Sequence, residues 1–182
     1  MAADFPSLVS LACHDLRTPL ATVQGFAKTL LRVDELDREK TARYLGLIDA
    51  ASAELVELLD LVSLAARIEG GRYNPVARGV DSLELAPEGA SGKGATVNVD
   101  PEAVARALGS LARAAARHGA VEVSVSVDET RVSIEPVVPG AAPVVLGEEQ
   151  KDLGAAVAVR VLHALGAELE LAGERLIVTL PV

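Results

Sequence analysis

Residues 5–65 carry two apolar seams, and these constrain the fold more than anything else in the chain. In the first, Phe5, Leu8, Ala12, Leu16, Pro19, Val23, Phe26 and Leu30 recur at steps of three or four, the period of a helix that buries one stripe. In the second, Tyr44, Ile48, Ala51, Leu55, Leu58, Val62 and Ala65 keep a strict heptad, again a helix with one buried seam. Asp34-Glu35-Leu36-Asp37 between them supplies turn and cap chemistry, with Asp37 the expected N-cap. Gly70-Gly71 ends the second helix. Helices of about thirty residues are roughly 45 Å long, and two of them joined by a short turn must run antiparallel. Such a hairpin cannot cover all its apolar surface alone. A second copy does so most economically, which predicts a dimeric four-helix bundle about a two-fold axis.

Within the first helix, Cys13-His14-Asp15-Leu16-Arg17-Thr18-Pro19-Leu20 places a histidine on the side opposite the seam, because each residue advances about 100°. An imidazole there is free to act as a nucleophile on phosphorus. Arg17 at i+3 and Thr18 at i+4 share its face. Cys13 is expected to pack near the seam. His118 and His163 are expected to be structural or solvated, and Lys28, Arg32 and Arg43 to solvate helix faces.

The run His14 to Leu20, followed by Gly25-Phe26 and Leu30, resembles the H-box of sensor histidine kinases. That motif is the phospho-accepting site of their dimerisation and histidine-phosphotransfer domain. The resemblance implies that His14 carries the phosphoryl group and that Asp15 orients its ring and accepts the other N–H. It implies that Thr18 holds a water if the protein also dephosphorylates its partner. Arg17 would meet phosphate or a partner carboxylate, although a solvated ion pair fits it as well. Pro19 would bend the helix just past the reactive turn. The same dimer is implied independently.

Composition excludes several functions. The net charge is -9 and only 2% of residues are aromatic, with no Trp, so neither a basic surface nor stacking platforms exist for nucleic acid. No apolar run approaches a membrane span, and Met1-Ala2-Ala3-Asp4 lacks the basic start of a signal peptide. A single cysteine makes no internal disulfide, which fits a reducing cytoplasm. His14, His118 and His163 have no Cys or His at metal-binding spacing. The expected chain is cytoplasmic, with no nucleic-acid or membrane partner.

Residues 1–71 are thus read as the helical hairpin and residues 72–182 as a second domain. Residues 72–99 are Gly- and Pro-rich and weakly patterned, and Pro87 to Gly94 reads as a flexible turn or loop without P-loop spacing. Asp100-Pro101 opens a helix reaching His118-Gly119. Val121–Val127 and Arg131–Val137 form a hairpin, Leu153–Leu165 a helix ended by Gly166, and Ala167–Leu171 with Arg175–Leu180 a last hairpin. Mixed strands with helices on one face make an α/β sandwich, so the chain is α+β.

This order is similar to the ATP-binding Bergerat domain of histidine kinases, in a reduced form. The family's nucleotide chemistry can be checked residue by residue. Ala114 stands where the resemblance expects the Mg²⁺-holding Asn, with Ser110 where the preceding Asn usually sits. Glu135-Pro136-Val137-Val138-Pro139-Gly140 offers no adenine-reading Asp, the glycine-rich box is reduced to Asp152-Leu153-Gly154, and the ATP lid to about a dozen residues. Asp152 would repel phosphate at a helix start that otherwise attracts anions. No cofactor or metal is therefore expected on this chain, ATP included.

A phospho-accepting histidine without a working kinase resembles the histidine phosphotransferases of phosphorelays. The expected reaction is phosphoryl transfer between His14 and the aspartate of a response-regulator receiver domain, with Mg²⁺ supplied by the receiver and an upstream phosphodonor elsewhere. Two other classes fit the same residues: a soluble sensor histidine kinase that autophosphorylates His14 from ATP, and a non-catalytic pseudokinase dimerisation or regulatory module.

Overall fold

The computed structural model describes residues 5–32 and 37–182. The turn residues Asp34, Glu35 and Leu36 and the Met1–Asp4 start lie outside the described residues. Helix α1 spans Phe5–Arg32 and α2 spans Arg38–Glu69. Every seam position read from the sequence is buried or half-buried, and the pair packs along its length. Near the turn, Phe26 and Tyr44 stack with ring centroids 5.2 Å apart. Asp37 caps α2, its carboxylate accepting from the Lys40 N–H at 2.7 Å. That bond, first, and the Lys40 side chain hold the Asp37 carboxyl below its ordinary pKa of 3.8. Gly70 caps the other end, and Gly71, at φ +62°, turns the chain away.

The C-terminal part is an α/β domain. Its strands are β1 (Arg78–Asp81), β2 (Ser91–Gly94), β3 (Thr96–Val99), β4 (Ser124–Glu129), β5 (Arg131–Glu135), β6 (Glu168–Ala172) and β7 (Arg175–Thr179). Helix α3 covers Pro101–Gly119, the short α4 Ala142–Val145 and α5 Leu153–Ala164. The main sheet runs β2-β4-β5-β7-β6, with β2 parallel to β4 and the other pairs antiparallel. Its register lines up two apolar rows, Val127-Val132-Val178-Leu169 and Val125-Ile134-Leu176-Leu171. These pack under α3 and α5, whose Leu108, Leu111 and Leu162 are fully buried. Each such side chain contributes about 1.5–3 kcal/mol on leaving water.

One expectation is corrected here. Ser91–Gly94, read as part of a flexible loop, is the edge strand β2. A Cβ on Gly92 would run into the Val127 carbonyl and one on Gly94 into the Asp81 carboxylate, so these glycines serve close backbone approach rather than flexibility. Pairing by main-chain groups leaves no side-chain alternation to read. Helix α3 ends at Gly119 as expected, and Ala120 after it takes the left-handed position at φ 51°.

The two parts share one core. Leu8, Ala12 and Ala65, at the start of α1 and the end of α2, are at most 2% exposed and belong to the same cluster as the sheet and its helices. Helix α5 lies against α2 and α1 at this end, which is the end that carries His14.

Candidate functional site

With Leu8, Ala12 and Pro19 buried, the opposite face of α1 turns outward, and the His14 side chain is 78% exposed. Asp15, at 28%, sits in the angle between that face and the C-terminal domain. Neighbouring helix residues diverge by about 100°, so spacing alone gives no contact between them. Yet His14 Nδ1 and Asp15 Oδ1 lie 3.1 Å apart, because Nδ1 is the ring nitrogen nearer the backbone and the Asp side chain is short. When Nδ1–H donates to Asp15, the lone pair is on Nε2. In that tautomer the arrangement presents an oriented nucleophile to solvent.

Arg17 and Thr18 are both exposed on the following turn, and the Thr18 carbonyl accepts the Thr22 hydroxyl at 3.1 Å. Pro19 is buried within an α1 that continues to Arg32. Cys13 is exposed rather than packed at the seam: one residue beyond Ala12, it has rotated out of the stripe. His163 is exposed, whereas His118 approaches Asp152 at 3.4 Å.

Asp15 also lines a groove of about 180 Å³ between the hairpin and the C-terminal domain. Glu54, Glu57, Leu58 and Leu61 of α2 form one side, and Ser110, Arg113 and Arg117 of α3 with Asp152–Gly154 form the other. The sequence reading assigned none of the α2 acids or α3 arginines to the His14 neighbourhood. The contact joins segments far apart in the chain, and no local pattern encodes it.

Of the positions compared with a nucleotide site, Ser110 and Asp152–Gly154 fall on this second wall. Ala114 is 0% exposed, packed into the core. The Ser110 hydroxyl accepts from Arg113 Nη2 at 3.2 Å. Asp152, 8% exposed, caps α5: Oδ1 accepts the Ala155 N–H at 3.0 Å, and Oδ2 pairs with Arg117 at 3.2 Å. A carboxylate thus already occupies the helix start that would otherwise attract an anion. Glu135 lies at the far end of β5, paired with Arg175 at 2.7 Å. Among the described residues, no group of three or more His, Cys, Asp or Glu could hold a metal ion. No helix among them is long and apolar enough to cross a membrane.

Comparison with known proteins agrees with the hairpin's geometry. Residues 7–71 match the model of the His Kinase A (phospho-acceptor) domain. The chain is 33% identical over 84 residues to the probable sensor histidine kinase TcrY of Mycobacterium tuberculosis (strain ATCC 25618 / H37Rv), a match covering 46% of this chain and 17% of that protein. Its fold resembles the histidine kinase AdeS of Acinetobacter baumannii, with a TM-score of 0.58 at 18% identity, over 91% of this chain and 95% of that one.

Proposed function

Taking this as a histidine kinase-like chain whose residues 7–71 are its phospho-acceptor region, we propose that it moves phosphoryl groups between His14 and an aspartate of a response-regulator receiver domain. The observation that carries the reading is the outward His14 imidazole, held through Nδ1 by Asp15 at 3.1 Å. In the forward step the Nε2 lone pair attacks the phosphorus of the receiver's aspartyl phosphate in line. An N–P bond forms, the P–O bond to the aspartate breaks, and the carboxylate leaves with its electron pair. The Nδ1 proton stays in place, and Asp15 stabilises the ring's positive charge. A divalent cation brought by the receiver supplies charge compensation at the phosphoryl oxygens. Arg17 meets phosphate or a partner carboxylate, and Thr18 holds a water for dephosphorylation.

Residues 1–71 then form the acceptor hairpin and 72–182 a degenerate kinase-like domain that holds no nucleotide. Supporting that part of the reading are the buried Ala114, the Ser110 hydroxyl engaged by Arg113, and the Asp152 carboxylate seated on the α5 start. A homodimer is part of the proposal. Leu20 and Leu31 of α1, with Leu45, Val56 and Leu59 of α2, are 46–84% exposed, an apolar surface that a second hairpin would cover. We assign the protein to the cytoplasm.

The test is incubation with a set of receiver domains phosphorylated on aspartate. The expected product is label on this chain that survives alkali, is lost in acid and is absent from His14→Gln. Binding of receivers with no label passing to this chain from any of them would instead support a non-catalytic regulatory module.

A further inference from the structure

The groove beside Asp15 continues into a second one of about 220 Å³, sharing Glu57, Leu61, Ser110 and Arg113 with it. Glu57 and Asp60 of α2 line one side of this second groove, and Arg106 and Arg113 of α3 line the other. Asp60 follows Glu57 by three residues and Arg113 follows Arg106 by seven, so each pair keeps to one helix face. Among the described residues no ion pair crosses between the sides: Arg113 donates to the Ser110 hydroxyl at 3.2 Å. Ser110 is only 7% exposed, and its own hydroxyl proton has no acceptor among the described residues. Leu61 adds apolar lining. With Leu64, Val157 and Val161 it also borders an apolar recess that shares Arg106 and Ser110 with the groove.

We propose that this second groove binds a small zwitterion, a molecule with an ammonium at one end, a carboxylate at the other and a short alkyl stem between. The ammonium donates to the Glu57 and Asp60 carboxylates. The ligand carboxylate accepts from the Arg106 and Arg113 guanidinium groups and from the Ser110 hydroxyl. The stem lies along Leu61. A ligand of one sign does not suit the site: an anion meets two carboxylates on α2, and a cation meets two guanidinium groups on α3. Size points the same way. Sites for drug-sized molecules begin at roughly 300 Å³, and this groove is smaller. Exposed ion pairs are individually weak, each shifting an equilibrium by up to about fivefold, and salt screens them. Binding there is independent of any chemistry at His14.

The experiment titrates full-length protein with ε-aminocaproate and follows amide and methyl NMR signals. Shifts are expected at Asp60, Leu61, Arg106 and Ser110, saturating in the millimolar range and weakening as salt rises. Caproate and hexylamine, which each carry one of the two charges, should bind up to about fivefold more weakly. Asp60→Asn should shrink the advantage of ε-aminocaproate over caproate, and Arg106→Gln its advantage over hexylamine. Both side chains are exposed, so both variants should keep the wild-type thermal midpoint. A zwitterion that binds no tighter than its single-charge analogues overturns the site. So do shifts confined to other surfaces, an affinity that ignores both substitutions, or no shift at tens of millimolar.

Discussion

The helical hairpin matches a phospho-acceptor domain model in sequence, whereas the α/β domain is known to resemble a histidine kinase only in fold. In the hairpin, all the chemistry lies on one turn of one helix: His14 outward, Asp15 on its Nδ1, Arg17 and Thr18 alongside. In the α/β domain, the positions compared with a nucleotide site are core, cap or surface pair, as Ala114, Asp152 and Glu135 show. A site built on a single helix face survives as long as the helix does. A pocket assembled from separate segments can lose its ligands one at a time while the strands and helices beneath it still pack.

The sharpest way to break this contrast is to remove the imidazole. His14→Gln is expected to abolish labelling from a phosphorylated receiver completely while leaving the thermal unfolding midpoint unchanged, since the side chain is 78% exposed. In the other region, Leu108→Ala leaves a cavity under the sheet and should cost about 2–5 kcal/mol in denaturant unfolding. The rate of transfer to the folded fraction should stay within about twofold if that domain is a scaffold.

Asp15→Asn keeps the size but loses the charge that holds Nδ1–H. Transfer should slow by about 10²-fold with receiver affinity unchanged, measured by rapid-quench kinetics and titration. Asp152→Ala removes the α5 cap and should cost about 0.5–2 kcal/mol in denaturant unfolding. If Mg-ATP then binds, the carboxylate was the principal block, and the domain is less altered than we argue.

The smallest effect concerns Asp37. Its folded pKa lies below 3.8, so the stability it adds is present above that value and lost as pH falls through the folded pKa. The midpoint difference between wild type and Asp37→Ala should therefore be constant near neutrality and shrink below pH 3.8.

The division also explains what the sequence could reveal. The seams, the Asp37 and Asp100 caps, the two C-terminal hairpins and the outward His14 follow from local periodicity and turn chemistry, and the structure places them accordingly. Strand β2 was hidden because Gly92 and Gly94 answer to Val127 and Asp81 across the fold rather than to their neighbours in sequence. Cys13 was misplaced by one step around the helix. The charged groove next to Asp15 was invisible, since Glu57 and Arg113 come to line one groove only where α5 packs against α2.

In the proposed reaction, phosphate reaches His14 from a protein partner and not from nucleotide. Parallel time courses with aspartate-phosphorylated receiver and with γ-labelled Mg-ATP test it directly, each run on wild type and His14→Gln. His14-dependent label is expected from the receiver and none from ATP. His14-dependent label arriving from ATP, with saturable nucleotide binding, would contradict it.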